Sequence, residues 1–204
     1  MAHDHDHDHE HEHEHEHEHD ETDAAAEDEE LERAARRLVA LSRIRQYGDP
    51  VLRMQGREVT IFDDELARLV ERMTNLMHEA QGVGLAATQV GVLRRLFVFV
   101  DGDVDRVLVN PTITKRSKET STDEEGCLSL QGVLVPVERA TEVTIEGSDA
   151  TGAAVRYDFA EPTARIVQHE LDHVDGVLIL DRTDDESRRN ALARLRPQPV
   201  LGSR

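Results

Sequence analysis

The sharpest local signal in this chain is QHELDH at residues 168–173. On a helix, His169 and His173 lie four residues apart and project from one face, where two imidazoles are able to bind one cation with Glu170 beside it. A helix is predicted from about Pro162, because proline suits a first helical turn, through His173. The alternative is an ordinary polar turn of helix, but the pattern favours a metal-binding helix.

A catalytic metal site with two histidines needs at least one further protein ligand. No histidine follows His173, and the nearest carboxylates downstream are Asp175 and Asp181. The single cysteine, Cys127, is the better candidate, because its thiolate would complete a Cys-His-His set with His169. A lone cysteine is also often only a small buried hydrophobic residue, so the ligand set remains a prediction.

The segments around this helix predict an α+β fold. Apolar residues at helical spacing predict a helix over 31–44 and a second from the capping residue Asp63 to before Gly82, with His78 of the second helix solvated. A charged helix is predicted over 184–195. Short apolar or alternating runs predict strands at 96–100, 107–109, 133–137, 142–146, 154–159 and 177–180. A turn is predicted at Asn110-Pro111. Helices and antiparallel strands are segregated along the chain, which is typical of an α+β domain.

The segment GVGLAATQVG at residues 82–91 contains a loose dinucleotide-binding pattern, GxGxxA. That pattern requires a strand before it and a helix after it, whereas here a predicted helix precedes it and a strand follows. The small residues are better explained by close approach of the backbone to a substrate or metal, with Gln89 offering an amide donor. The alternative is a tight helix-to-strand connection.

The formal net charge of −19 is concentrated at one end of the chain. Residues 1–30 contain 15 Asp and Glu and no Lys or Arg, which leaves 28 acids and 24 bases in residues 31–204. That balance argues against a nucleic-acid site, because neutralising phosphates needs a basic face. No apolar run is long enough for a membrane span and no secretory signal is present, so the expected location is cytoplasmic.

Every second residue from His3 to His19 is histidine, with Asp or Glu between. Such a segment cannot bury apolar surface, so residues 1–30 are predicted to form a disordered tail and linker before a catalytic domain over 31–204. Closely spaced imidazoles are able to bind divalent transition metals. The alternatives are a passive low-complexity extension and an affinity tag.

Three segments in order, GVGLAATQVG, EGCLSL at 125–130 and QHELDH, resemble the peptide deformylase family, and GDPVLR at 48–53 resembles its N-terminal segment. The resemblance covers about residues 44–195. It implies an α+β fold with antiparallel sheets packed around a central metal-binding HExxH helix. It also implies removal of the formyl group from the N-terminal formyl-methionine of newly synthesised proteins.

The resemblance also implies a role for each matching residue. The metal ligands would be Cys127, His169 and His173. Glu170 would be the catalytic acid and base, with Gln89 and the Leu128 N–H stabilising the oxyanion. Val83 and Gly84 would bind the peptide.

The cofactor implied by the resemblance is one ferrous ion per site, with zinc, nickel or cobalt as substitutes. The partners would be nascent formyl-methionyl polypeptides near the ribosome, with no membrane or nucleic-acid site. The competing hypotheses are a zinc endopeptidase built on HExxH and a metal-buffering protein that has lost activity.

Overall fold

The computed structural model describes residues 29–195, so the predictions for residues 1–28 lie outside the described residues. The helices are α1 (29–42), α2 (Asp64–Glu79), α3 (Thr163–Val174) and α4 (Asp185–Leu195). The strands are β1 (Gly84–Ala86), β2 (Leu96–Asp101), β3 (Val104–Arg116), β4 (Thr120–Cys127), β5 (Leu130–Ala140), β6 (Glu142–Ser148) and β7 (Ala154–Ala160). Every strand pair is antiparallel, and the described part of the chain is an α+β fold.

The strands form two sheets. Five of them pair in the order β1-β2-β3-β6-β7, and β4 pairs with β5 in a separate two-stranded sheet. The short strand β1 lies at the edge of the larger sheet and pairs on one side only, with Gly84 opposite Phe99 of β2. One row of backbone groups of β1 is therefore left without a strand partner.

Strand β2 lies between two helices because both of its faces are apolar. Leu96 and Val98 pack in one core with residues of α2, whereas Phe97 and Phe99 pack in a second core with residues of α3. Successive side chains of a strand point to opposite faces, so a continuous apolar run such as LFVFV is buried on both sides. The larger sheet is thereby covered by α2 on one face and α3 on the other.

Helix α2 follows its sequence pattern closely. The Asp63 side chain accepts a hydrogen bond from the Leu66 N–H at 3.0 Å, which is the predicted cap. His78 is exposed and contacts Asp105, as expected for a residue that binds no metal. Helix α1 forms near the predicted position, but Leu31 and Leu38 of its expected apolar face are exposed, and burial begins only at Ala40.

Two predicted features of the strands were wrong. Residues 177–180 lead into a 3₁₀ turn, Ile179–Asp181, whose apolar residues pack against α4 and β5 in a third core. The predicted turn at Asn110-Pro111 lies within β3, where Asn110 adopts a φ of 52° at an irregularity in the pairing with β6. Strand β4 was not predicted, because its sequence TSTDEEGC lacks apolar alternation. None of the described helices is both long and apolar enough to span a membrane.

Candidate active site

Helix α3 brings QHELDH into the interior of the protein. It packs against β1 and β2, and the side chains of Glu170 and His173 are buried. The Thr88 hydroxyl donates to the His173 carbonyl at 3.0 Å, which ties the helix to the short turn after β1. The predicted helix is present, and its polar face is enclosed by the protein.

Cys127, His169 and His173 converge on one point. Cys127 ends β4, and one ligand atom from each of the three residues lies within 4.8 Å of the other two. The Cys127 Sγ is 3.1 Å from His173 Nε2, and the two imidazole rings meet edge to face with centroids 4.9 Å apart. Residues distant in sequence thus form one compact donor set.

This donor set fits a divalent transition metal ion. With metal–ligand bonds of about 2.0–2.3 Å, tetrahedral ligand atoms lie roughly 3.3–3.8 Å from one another, which the three atoms satisfy with little movement. The carboxylate atom Glu170 Oε2 is buried beside these residues without a hydrogen-bond partner among the described residues. Burial of an unpartnered polar atom is costly, and it is typical of a site that is completed by a ligand.

A buried carboxylate orients His169. The Nδ1 atom of His169 is 3.0 Å from Glu125 Oε2, so Nδ1 carries the hydrogen and Nε2 is left to face the cysteine. Arg139 donates to both oxygens of Glu125, at 2.9 and 3.0 Å, and Arg165 donates to Oε1 at 3.0 Å. Although burial would raise the pKa of Glu125, hydrogen bonds from His169 and Arg139 outweigh it and lower that pKa to about 2.

Arg139 also contacts helix α3. Arg139 Nη1 donates to Asp172 Oδ2 at 2.6 Å, and Asp172 also accepts from Arg182. Arg139 therefore joins β5 to β4 through Glu125 and to α3 through Asp172. This buried network was not predicted from the sequence. Its only local signal is that Glu125 lies two residues before Cys127.

Glu170 lies against the edge strand β1. A Cβ atom added at Gly84 would be 2.3 Å from Glu170 Oε1, so only glycine leaves room for the carboxyl group. Burial, together with the negative charge of Glu125, raises the pKa of Glu170 to about 7 against the opposing charge of His169. A carboxyl group with such a pKa is suited both to accept and to return a proton near neutral pH.

The amide of Gln89 is fixed in orientation by its surroundings. Its Oε1 accepts a hydrogen bond from the Ala86 N–H at 2.8 Å, which leaves the NH₂ group to face the site. That NH₂ group is 3.1 Å from the Ser129 hydroxyl and 3.7 Å from Cys127 Sγ. Gln89 therefore presents an N–H donor beside the cysteine.

An open cavity of about 620 Å³ leads from the surface to this cluster. Its lining includes seven of the eight predicted site residues: Val83, Gly84, Gln89, Cys127, Leu128, His169 and Glu170. The eighth, His173, does not line the cavity, and it contacts the Cys127 sulfur through Nε2. Leu128 forms part of the wall, where its carbonyl accepts from Gln46 at 3.1 Å.

Comparison with known families and sequences gives a consistent result. The family model described as Polypeptide deformylase matches residues 41–189. A peptide deformylase of Acidothermus cellulolyticus is 45% identical over 165 residues, covering 80% of this chain and 91% of the relative. Peptide deformylase 1 of Corynebacterium efficiens is 43% identical over 157 residues, covering 75% and 93%.

Solved structures show the same similarity. The crystal structure of peptide deformylase from Thermotoga maritima matches with a TM-score of 0.68 and 42% identity, covering 70% of this chain and 97% of that one. A peptide deformylase from Synechococcus elongatus in complex with actinonin matches with a TM-score of 0.72 and 36% identity, covering 74% and 85%.

Proposed function

Because the chain belongs to the peptide deformylase family, a family of metal-dependent hydrolases that remove the formyl group from newly made polypeptides, we propose how its own residues carry out that reaction. The observation that carries the proposal is the convergence of Cys127, His169 and His173 at the base of a cavity also lined by Glu170 and Gln89. Helix α3 is then the metal-binding helix around which the sheets pack. Residues 31–204 form the catalytic domain, preceded by the tail and linker of residues 1–30.

Cys127, His169 and His173 would hold one ferrous ion, for which zinc, nickel or cobalt can substitute. When bound, the ion supplies Lewis acidity and lowers the pKa of a water molecule. Glu125 holds the His169 ring in place, and the hydrogen bond from the Ser129 N–H to the Cys127 sulfur at 3.4 Å favours a thiolate. These contacts position two of the three donors, Cys127 and His169, before any substrate enters.

Glu170 moves the proton. Its unpartnered oxygen accepts a proton from the attacking water, and the same carboxyl group then donates that proton to the departing amine of methionine. A pKa near 7 allows both steps, because neither protonation state is strongly disfavoured at neutral pH.

Gln89 and the Leu128 N–H would stabilise the negative charge that develops on the formyl oxygen. Replacing Gln89 by Ala is expected to lower kcat by about 10²–10³-fold with a smaller change in KM, because the donor acts in the transition state. Steady-state formate release measures this. Gln131, an exposed glutamine that lines the same cavity, provides the control. An equal effect of Gln131→Ala would show that Gln89 has no special role.

The open edge of β1 at Val83 and Gly84 would pair with the peptide as an added strand. Replacing Gly84 by Ala is expected to lower kcat/KM by about 10²-fold, because the new Cβ displaces the Glu170 carboxyl group. At the control position, Gly126→Ala, the new Cβ meets the end of the Leu134 side chain at 3.1 Å and the Val133 carbonyl oxygen at an ordinary 3.8 Å, and it does not meet Glu170. Wild-type kcat/KM in Gly84→Ala would mean that Glu170 is not positioned as proposed.

The function is tested on anaerobically prepared, iron-loaded protein. It should release formate from a formyl-Met-Ala-Ser peptide and leave internal bonds of unformylated peptides intact. Cleavage of internal bonds would favour the zinc endopeptidase hypothesis, and absence of formate would contradict the proposal. We also propose that the enzyme works in the cytoplasm on chains emerging near the ribosome.

The histidine-rich tail supports a second proposal, that it binds divalent metal and supplies the site when metal is scarce. Nine histidines alternate with carboxylates between residues 3 and 19, a composition suited to several transition ions. The full chain should then bind more than one zinc per molecule and refill from limiting zinc faster than a variant lacking residues 2–20. A variant with the nine histidines changed to Asn should behave like the truncation. Identical stoichiometry and refilling in all three would leave the tail a passive extension.

A further inference from the structure

The rim of the cavity carries two arginines from opposite ends of the chain. Arg37 lies on α1 and Arg194 near the end of α4, and both line the cavity. Both lie outside residues 41–189, the part that matches the family model. The family match therefore assigns no role to either arginine.

The charges that line the cavity are unevenly distributed between its base and its rim. The lining carboxylates, Glu125 and Glu170, are both buried, and Glu125 is already bonded to arginines. Arg165 also lines the cavity but lies mostly buried, paired with Glu125 and Glu161. The lining cations that remain at the rim are Arg37 and Arg194.

Neither rim arginine has a carboxylate partner among residues 29–195. Arg37 donates through Nε to the Ala80 carbonyl at 3.2 Å, which holds its guanidinium over the segment leading into β1 and leaves its terminal amino groups available. Arg194 is exposed, and its side chain forms no hydrogen bond within that part of the chain. By contrast, Arg33 and Arg43, also exposed in the N-terminal part of the chain, contact Glu29 and Glu79.

We propose that Arg37 and Arg194 select formyl-methionyl peptides that carry Asp or Glu in the residues after methionine. This inference rests on the proposed function, because it places the formyl group beside Glu170 at the base of the cavity. The peptide then leaves through the open mouth, at a rise of about 3.3 Å per residue in extended form, so the residues after methionine pass the rim. The exposed side chains of Val83 and Leu134 provide apolar contact there, and the arginines provide the charge preference.

The preference is tested by comparing formyl-Met-Ala-Glu-Glu with formyl-Met-Ala-Gln-Gln on the iron-loaded full chain. We expect kcat/KM to be about three- to tenfold higher for the acidic peptide at low salt, as exposed ion pairs allow. The ratio should fall towards one at high salt, because exposed charges are screened. It should also fall towards one in the double variant Arg37→Gln/Arg194→Gln.

Arg36→Gln is the matched control, since Arg36 is on the same helix but does not line the cavity, and it should keep the wild-type ratio. An unchanged ratio in the double variant would overturn the inference. The acidic tail of this chain is the competing occupant. If the tail occupies the arginines, the full chain would show no preference for the acidic peptide, whereas the variant lacking residues 2–20 would show that preference. This result would also overturn the inference.

Turnover of the neutral peptide separates this inference from the proposed function. All arginine variants should release formate from formyl-Met-Ala-Gln-Gln at nearly the wild-type rate. If the wild-type protein releases formate from the neutral peptide but shows no preference for the acidic peptide, only the inference is contradicted. No formate from the neutral peptide in the wild-type protein would contradict the proposed function itself.

Discussion

Replacing Glu170 by Gln is expected to lower kcat by about 10²–10⁴-fold, the usual contribution of a positioned proton donor and acceptor. The amide has nearly the same shape and fits the space beside Gly84, but it cannot accept the proton from water. The protein should therefore fold normally and still bind one metal ion at the Cys127, His169 and His173 site. Steady-state formate release and metal analysis of the same sample measure both parts of the expectation.

Glu124→Gln is a suitable control for the Glu170 variant. Glu124 is an exposed acid on β4, three residues from Cys127, and its substitution changes the net charge by the same amount. It should leave kcat within about twofold of wild type, as most surface substitutions do. If Glu170→Gln loses its metal as well as its activity, the Glu170 side chain is needed for metal binding, and the loss of activity does not support a role in proton transfer. If the variant keeps wild-type kcat, the proposed role is wrong.

Replacing Arg139 by Met is expected to destabilise the protein by about 3–5 kcal/mol, because it removes a buried charge that bonds two buried carboxylates. Arg139 is 6% exposed and bonds both Glu125 and Asp172. Arg165 still bonds Glu125 and Arg182 still bonds Asp172, but loss of Arg139 loosens Glu125, which orients His169. Metal affinity should therefore fall about 10–100-fold, as is usual when the partner of a ligating histidine is disturbed.

Urea unfolding and metal competition measure the two effects of Arg139→Met. The surface pair of Arg156 and Glu146 provides the control, since both side chains are largely exposed and 2.6 Å apart. Arg156→Met should cost about 0–1 kcal/mol and leave metal affinity unchanged. Similar destabilisation by both substitutions would contradict the structural role of the buried network.

Periodicity predicted helix α2 well because its apolar spacing coincides with its buried face, whereas α3 was predicted from Pro162 and the spacing of its histidines. The same periodicity predicted a helix at α1 but not the residues that it buries, since Leu31 and Leu38 are exposed although they fit a helical face. Strand β4 was missed because its stability comes from pairing with the apolar strand β5, not from its own residues. A pattern of single residues cannot show which segment supplies the pairing partner.

The candidate site was predicted unevenly for the same reason. The spacing of His169 and His173 is local and could be read from the helix alone. Cys127 and Gln89 were candidates by residue type, but their specific roles rested on resemblance to a family. The contact of Glu125 with Arg139 depends on the register of β4 on β5 and on the position of α3. Such long-range contacts have no clear local sequence signal. The same holds for the placement of Arg37 and Arg194 at the rim of one cavity.

X-ray absorption at the bound metal tests whether Cys127, His169 and His173 are its ligands. The zinc-loaded variant lacking residues 2–20 is used, because that deletion removes all nine histidines of the tail from the signal. We expect one zinc per chain, with one sulfur at about 2.3 Å and two imidazole nitrogens at about 2.0–2.1 Å, and loss of the sulfur in Cys127→Ala. A first shell without sulfur, or one unchanged by Cys127→Ala, would contradict this assignment.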